Sequence, residues 1–286
     1  MHFADLINES VDTKQSVLCL GLDPHWDRIP DFLKEDCTPD EAILKFLIPI
    51  IDACEPHIAC VKPQIAFFEQ FGSIGYSAFE KVCMYAKSKQ LPVIVDAKRG
   101  DIGSTAEAYA EAFLGKNRPY DALTVNPYMG EDTLIPFVKK ANENGKGIFV
   151  LVKTSNPGSG DIQDLPIGDE LVCEKIARMV SRLGLDNLNT NQYSNIGAVV
   201  GATYPEELSL LRRDMPSQIF LIPGYGAQGG EANDLRSAFY EDGKGALVNS
   251  SRGILFAFED AKEPENFALH AGEAARKAKE DLNFFA

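Results

Sequence analysis

Eight short apolar runs, rich in β-branched residues, punctuate the chain at 17–22, 57–61, 93–97, 122–125, 148–152, 197–200, 219–222 and 246–249. Each is nearly continuous in apolar character rather than alternating, as in parallel strands covered on both faces. Stretches with helical spacing follow them at 40–54, 74–89, 104–115, 130–143, 169–183, 205–212, 230–240 and 265–281. Strand then helix, repeated through the chain, predicts an α/β fold of the (β/α)8 TIM-barrel class. The main alternative is an open doubly wound sheet. It would show fewer strands and a glycine-rich turn after the first, where this chain has Asp23-Pro24-His25. No composition shift marks a second domain, and the polar stretch 186–195 reads as a connection between the fifth helix and sixth strand. One barrel domain over 1–286 is expected.

Composition narrows the partners. With 45% hydrophobic and 24% charged residues the chain reads as an ordinary soluble globular protein of one large core. A formal charge of -14 argues against nucleic acid or an anionic membrane as partner. An anionic small substrate would need local cations in a pocket. The most apolar stretch, 43–51, is too short to span a bilayer and contains Lys45, and 1–10 has no secretory signal pattern. Six scattered cysteines without a CxxC pair favour reduced thiols in a cytoplasmic protein. The four histidines (2, 25, 57 and 270) are dispersed and suggest no zinc site.

Chemistry in such barrels gathers at the C-terminal ends of the strands. Those ends carry Asp23, Lys62, Asp96 with Lys98, Asn126, Thr154 with Ser155, Thr203, Gly224 and Arg252. Unpaired charges at the rim of a packed core are costly, so Asp23, Lys62, Asp96 and Lys98 ask for a purpose. Strand alternation predicts Asp96 and Lys98 on one face, with Lys62 on the neighbouring strand about 4.8 Å away. Asp101 follows Gly100, past the strand. The structural alternatives are a Lys62–Asp96 ion pair that closes the barrel, and a role for Asp101 in starting the third helix. Ser104 and Glu107 form a capping-box pattern there. A second cluster, the glycine-rich 223–230 after the seventh run and Ser250-Ser251-Arg252-Gly253 after the eighth, suggests a phosphate grip.

Seven segments carry a resemblance: GLDP (21–24), VKPQIAFFEQFG (61–72), DAKRGDIGSTAEAYA (96–110), TVNPYMG (124–130), VKTSNPGSGD (152–161), PGYGAQGG (223–230) and SSRGILFA (250–257). Together they resemble the orotidine 5'-phosphate decarboxylase family in its longer bacterial-type branch. DAKRGDIGSTAEAYA and PGYGAQGG are the most specific of them. The resemblance implies decarboxylation of orotidine 5'-phosphate to UMP and CO2, the last step of UMP synthesis, by a homodimer without metal or organic cofactor. It puts the alternating charged network on Lys62, Asp96, Lys98 and Asp101, with Asp101 and Thr105 reaching into the partner subunit's site. It assigns ribose hydroxyls to Asp23 and Lys62, the pyrimidine to Ser155, and the 5'-phosphate to Gln228 and Arg252. Two places depart from the commoner pattern: Ser251 stands where glycine usually precedes the arginine, and Asn126-Pro127-Tyr128 follows the fourth run.

The residue types suit that reaction. Loss of CO2 from C6 leaves a carbanion with no adjacent carbonyl to delocalise it. An ammonium about 4 Å away at an effective dielectric near 20 is worth about 4 kcal/mol. Lys98 is the candidate for that charge and then for the proton, with Asp96 against the departing carboxylate. Phosphate binding remote from C6 can drive loop closure and so raise turnover. Two rivals remain at this point. Magnesium-dependent sugar-phosphate decarboxylases and aldolases share the acid–lysine–acid segment, but need a carboxylate where this chain has Lys62. A non-catalytic nucleotide-binding barrel would have no use for Lys98.

Overall fold

The near-continuous apolar runs fold as one eight-stranded parallel sheet: β1 (Leu18–Leu22), β2 (Cys60–Pro63), β3 (Ile94–Arg99), β4 (Ala122–Val125), β5 (Gly147–Lys153), β6 (Ser194–Val200), β7 (Gln218–Ile222) and β8 (Ala246–Ser250). The computed structural model describes residues 1–201, 205–225, 232–259, 261 and 263–283. Its strands pair in the order β2-β1-β8-β7-β6-β5-β4-β3. Bridges at Val61↔Val93 and Gln64↔Asp96 then join β2 to β3 and close the barrel. All the strands run the same way, so their C-terminal ends share one rim. Gly21 of β1 registers against Lys62 of β2 there.

Helices α2 (Pro39–Cys54), α3 (Gly72–Ser88), α4 (Gly103–Leu114), α5 (Glu131–Asn144), α6 (Val172–Gly184), α7 (Pro205–Asp214) and α8 (Phe267–Asp281) surround the sheet. In α2 a proline opens the first turn, and the Thr38 N–H donates to Glu41 at 2.9 Å. Its buried face (Ala42, Ile43, Phe46, Leu47, Ile50, Ile51, Cys54) follows helical spacing. Phe46 is fully buried, stacked on Phe256 and Phe267, a burial worth about 2–3 kcal/mol. One cluster of buried apolar residues extends from Phe3 to Leu282. Among the described residues no helix is long and apolar enough to cross a membrane.

Three features depart from the periodicity. A helix precedes the first strand, α1 (Phe3–Lys14), and covers the N-terminal end of the barrel, with Phe3 edge-on to Phe149 at 5.8 Å. The helical stretch expected at 169–183 begins later, because Pro166–Ile167 and Glu170–Leu171 pair as a small antiparallel ribbon around Gly168, whose φ is +65°. After β7 the described part of the expected helix is the 3₁₀ segment Ala232–Ala238.

Candidate active site

The charged strand ends meet at the mouth of the barrel. Lys62 of β2 donates to Asp96 Oδ2 at 3.0 Å, and Lys98 Nζ donates to Asp96 Oδ1 at 2.6 Å. Lys62 and Asp96 are buried, whereas the Lys98 side chain is 45% exposed. Burial by itself would lower the Lys62 pKa, but the carboxylates of Asp96 and Asp23 outweigh it and raise it above the ordinary lysine value. Burial would likewise raise Asp96. Lys62 and Lys98 overcome that and hold its carboxyl well below the usual carboxylate range. Asp23 follows β1, and its buried Oδ1 has no hydrogen-bond partner among the described residues.

Simple alternation is not what brings Asp96 and Lys98 together. The β3–β4 ladder pairs Val95 with Leu123 and then Arg99 with Val125, so three residues of β3 face one of β4. Lys98 occupies the left-handed region at φ +48°. From this bulged backbone the long side chain of Lys98 reaches Asp96 Oδ1. Opposite the bulge stands Thr124, which the apolar pattern did not single out. Its Oγ1 accepts from the Ala97 and Lys98 amides (3.0 and 2.9 Å) and donates to Asp96 Oδ1 (2.9 Å). On the far side Arg99 Nη1 donates to the Ala97 carbonyl at 3.1 Å, and Nη2 pairs with Glu69.

The remaining candidates are spread around the same rim. Among the described residues the Asp101 carboxylate accepts from the Ile102 amide at 2.8 Å and makes no ion pair, so this chain alone does not join it to the network. Thr105 is exposed in the first turn of α4. The capping box expected from Ser104 and Glu107 does not form, because α4 starts earlier, at Gly103 with φ +50°, and Ile102 holds the N-cap position without a side-chain bond. Ser155 is half-buried in the loop after β5. Gln163 closes that loop, accepting from the Thr154 amide (2.9 Å) and donating to Thr154 Oγ1 (2.8 Å). Buried Lys153 adds an ion pair to Asp164. Arg252 is exposed at the start of a short helix after β8 and makes no ion pair among the described residues. Gln228, the rest of 226–230 and Thr203 lie outside the described residues.

Two neighbours of the site explain departures in the sequence. A Cβ at Gly21 would lie 1.8 Å from Ser251 Oγ and 2.8 Å from Ser251 Cβ, so the serine before the arginine fits because β1 has a glycine beside it. Asn126 Oδ1 accepts from the Tyr128 amide at 3.0 Å, a local turn that leaves Tyr128 exposed. A cavity of about 840 Å³ lies beside this turn, against α6, and is lined by Tyr128, Leu151, Thr154, Ile162 and Met179. The charged network does not line it, so its size is no guide to the chemistry.

Chemically, the network is a carboxylate fixed between two ammonium groups, only one of them open to solvent. Lys62 is held charged, Asp96 is held ionised, and Lys98 can reach both Asp96 and anything above it in the mouth. Residues 16–267 match the family model described as Orotidine 5'-phosphate decarboxylase / HUMPS family. Orotidine 5'-phosphate decarboxylase of Rhodopirellula baltica is 45% identical over 286 residues, covering 96% of this chain and 93% of that one. Its counterpart in Deinococcus radiodurans is 44% identical over 256 residues, with 89% of each chain covered. The solved Leishmania donovani OMP decarboxylase superposes with a TM-score of 0.79 at 36% identity, covering 99% and 98% of the two chains.

Proposed function

The chain belongs to the orotidine 5'-phosphate decarboxylase / HUMPS family, and we propose that it converts orotidine 5'-phosphate to UMP and CO2, the last step of UMP synthesis, without metal or organic cofactor. The observation that carries this reading is the Lys62–Asp96–Lys98 array with its single solvent-open ammonium. The C6–carboxylate bond breaks, its electron pair stays on C6, and CO2 leaves. Lys98 faces the developing carbanion as a preorganised cation and then gives C6 its proton. Asp96 is too acidic to be the donor, and Lys62 is too basic and buried. Solvent can return the proton to Lys98 because its side chain is part-exposed.

Oδ1 of Asp23, without a partner among the described residues, is suited to accept a ribose hydroxyl, with Lys62 beside it. Ser155 takes the pyrimidine, and Arg252 with Gln228 takes the 5'-phosphate. A magnesium-dependent reaction fits poorly. The Asp96 carboxylate already receives three hydrogen bonds among the described residues, two of them from cations, and Lys62 occupies the place of a metal-ligating carboxylate. The protein works as a single-domain barrel in a homodimer. Asp101, unpaired within this chain's described residues, and Thr105 complete the partner's site, and the exposed Ile102, Tyr128 and Met129 nearby offer apolar surface for that contact. Six free cysteines fit a reducing, cytoplasmic setting.

A spectrophotometric assay with orotidine 5'-phosphate in EDTA tests the reading, with loss of orotidylate absorbance expected. Activity abolished by EDTA and restored by Mg2+ would move the chain to the sugar-phosphate rivals. Tight UMP binding with no turnover would make it a binding barrel. For the shared site, mixing Asp101→Ala and Lys98→Ala chains should recover activity, because one site of each heterodimer keeps both groups. Heterodimers that form and stay inactive would overturn it.

A further inference from the structure

We propose that Thr124 is a positioning residue for the decarboxylation, the group that fixes both the Asp96 carboxylate and the backbone that carries Lys98. The proposal rests on the function read above. Thr124 is 1% exposed, on the strand next to β3 and opposite the bulge. Three groups of β3 lie within hydrogen-bond distance of its hydroxyl: the Ala97 N–H, the Lys98 N–H and Asp96 Oδ1. A hydroxyl has one proton and two acceptor lone pairs. The amides can only donate, so they take both lone pairs. The single O–H is then left for Asp96, and the direction of each bond follows from counting.

The bulge explains why a hydroxyl is needed. Between the Val95↔Leu123 and Arg99↔Val125 pairs, β3 has two more residues than β4, so its amides cannot all find ladder carbonyls. Thr124 Oγ1 accepts from two of them. It thereby supports the left-handed conformation at Lys98, which residues other than glycine rarely adopt. The same oxygen of Asp96 takes the Thr124 hydroxyl and the Lys98 ammonium. One side chain therefore sets where the carboxylate stands and from where the lysine reaches it. Removing the hydroxyl frees both at once.

The test uses the full-length protein with Thr124→Val, which keeps the shape and loses the hydroxyl, and Thr124→Ser, which keeps it. Displacing reacting groups by an ångström can cost about 100-fold, so kcat of Thr124→Val should fall roughly 10- to 100-fold while UMP affinity stays within about threefold. Thr124→Ser should return kcat to within about threefold of the parent protein. A Thr124→Val enzyme within threefold of the parent would overturn the proposal. Equal losses in the two variants, or kcat and UMP affinity falling together, would do the same. Should Thr124→Val not fold, Thr124→Cys, with similar volume and a weakly bonding thiol, carries the test, and undiminished kcat there is the overturning result. If the parent protein does not turn over orotidine 5'-phosphate, the functional reading fails, and the crystal structure of Thr124→Val still decides the positioning. A lost Lys98–Asp96 contact supports it, and an unchanged bulge and contact overturn it.

Discussion

The two ends of the barrel each bury a lysine, and they treat it in opposite ways. At the C-terminal mouth Lys62 is 5% exposed; at the other end Lys146, just ahead of β5, is 7% exposed. Burial works against the charge in both. Around Lys62 the carboxylates of Asp96 and Asp23 more than offset it, and the pKa rises. Lys146 donates instead to the Arg118 carbonyl at 2.9 Å, and burial lowers its pKa to about 8, with Asp121 opposing and Lys87 and Arg118 reinforcing the fall. Similar exposure with pKa shifts of opposite sign means that the arrangement of neighbours sets the pKa. Neighbours at the mouth hold the buried lysine charged, whereas those at the opposite rim leave its proton easier to lose.

The sharpest break in that comparison is Lys98→Ala. It removes the solvent-open cation from the mouth while Lys62 and Asp96 keep their own contact. Turnover should fall by at least about 1000-fold, with the fold and UMP affinity largely kept. Single-turnover kinetics beside UMP titration check it, and substantial residual decarboxylation would remove Lys98 from the proton-donor role. Next in size is Lys62→Met, which leaves Asp96 Oδ2 buried without its cation. Breaking one side of a buried pair costs about 3 kcal/mol, to be read as a lower urea midpoint at pH 7. The pH dependence has a definite sign. Asp96 titrates far lower in the folded protein than unfolded, so its contribution is present above about pH 4 and lost as pH falls toward the folded value. Without Lys62 the folded value rises, and the variant should lose stability at a higher pH than the parent. Coincident acid unfolding curves would show that Lys62 does not hold Asp96 ionised.

The charges of the mouth were legible in the sequence because an apolar run that ends in Lys62, Asp96 or Lys98 is a sharp contrast, and parallel strands bring such ends to one rim. Thr124 was not. Within Ala122–Val125 a threonine contributes the same β-branched signal as a valine, so its hydroxyl has no visible partner until the bulge in β3 is known. The bulge itself is silent, since the left-handed residue is Lys98 and no glycine announces it. The helix α1 was missed for a different reason. Its buried positions (Phe3, Ala4, Ile7, Asn8, Val11) are helically spaced but precede the first strand, outside the strand–helix alternation that predicts the barrel. At Asp101 the sequence offers only the family resemblance, because neither the apolar pattern nor the strand ends distinguish a carboxylate that lies past the strand and, among the described residues, bonds only the next amide.

The smallest effect belongs to the quiet end. Below pH 8 Lys146 is protonated in both states, and the folded protein bears the full cost of the buried charge. Between about 8 and the unfolded value near 10.5 the unfolded chain holds the extra proton, so this residue's contribution to stability rises with pH. Lys146→Met removes that dependence, along with the bond to the Arg118 carbonyl, a constant cost of about 1 kcal/mol. The difference in unfolding free energy, parent minus variant, should therefore grow by about 2 kcal/mol from pH 7 to pH 9.5. Buried thiols such as Cys54, whose pKa is pushed up to about 12, weaken both proteins alike in this range and cancel in the difference. Urea titrations of both proteins at the two pH values measure it. A difference that stays flat would mean that Lys146 keeps an ordinary pKa, and that the two rims do not treat their lysines differently after all.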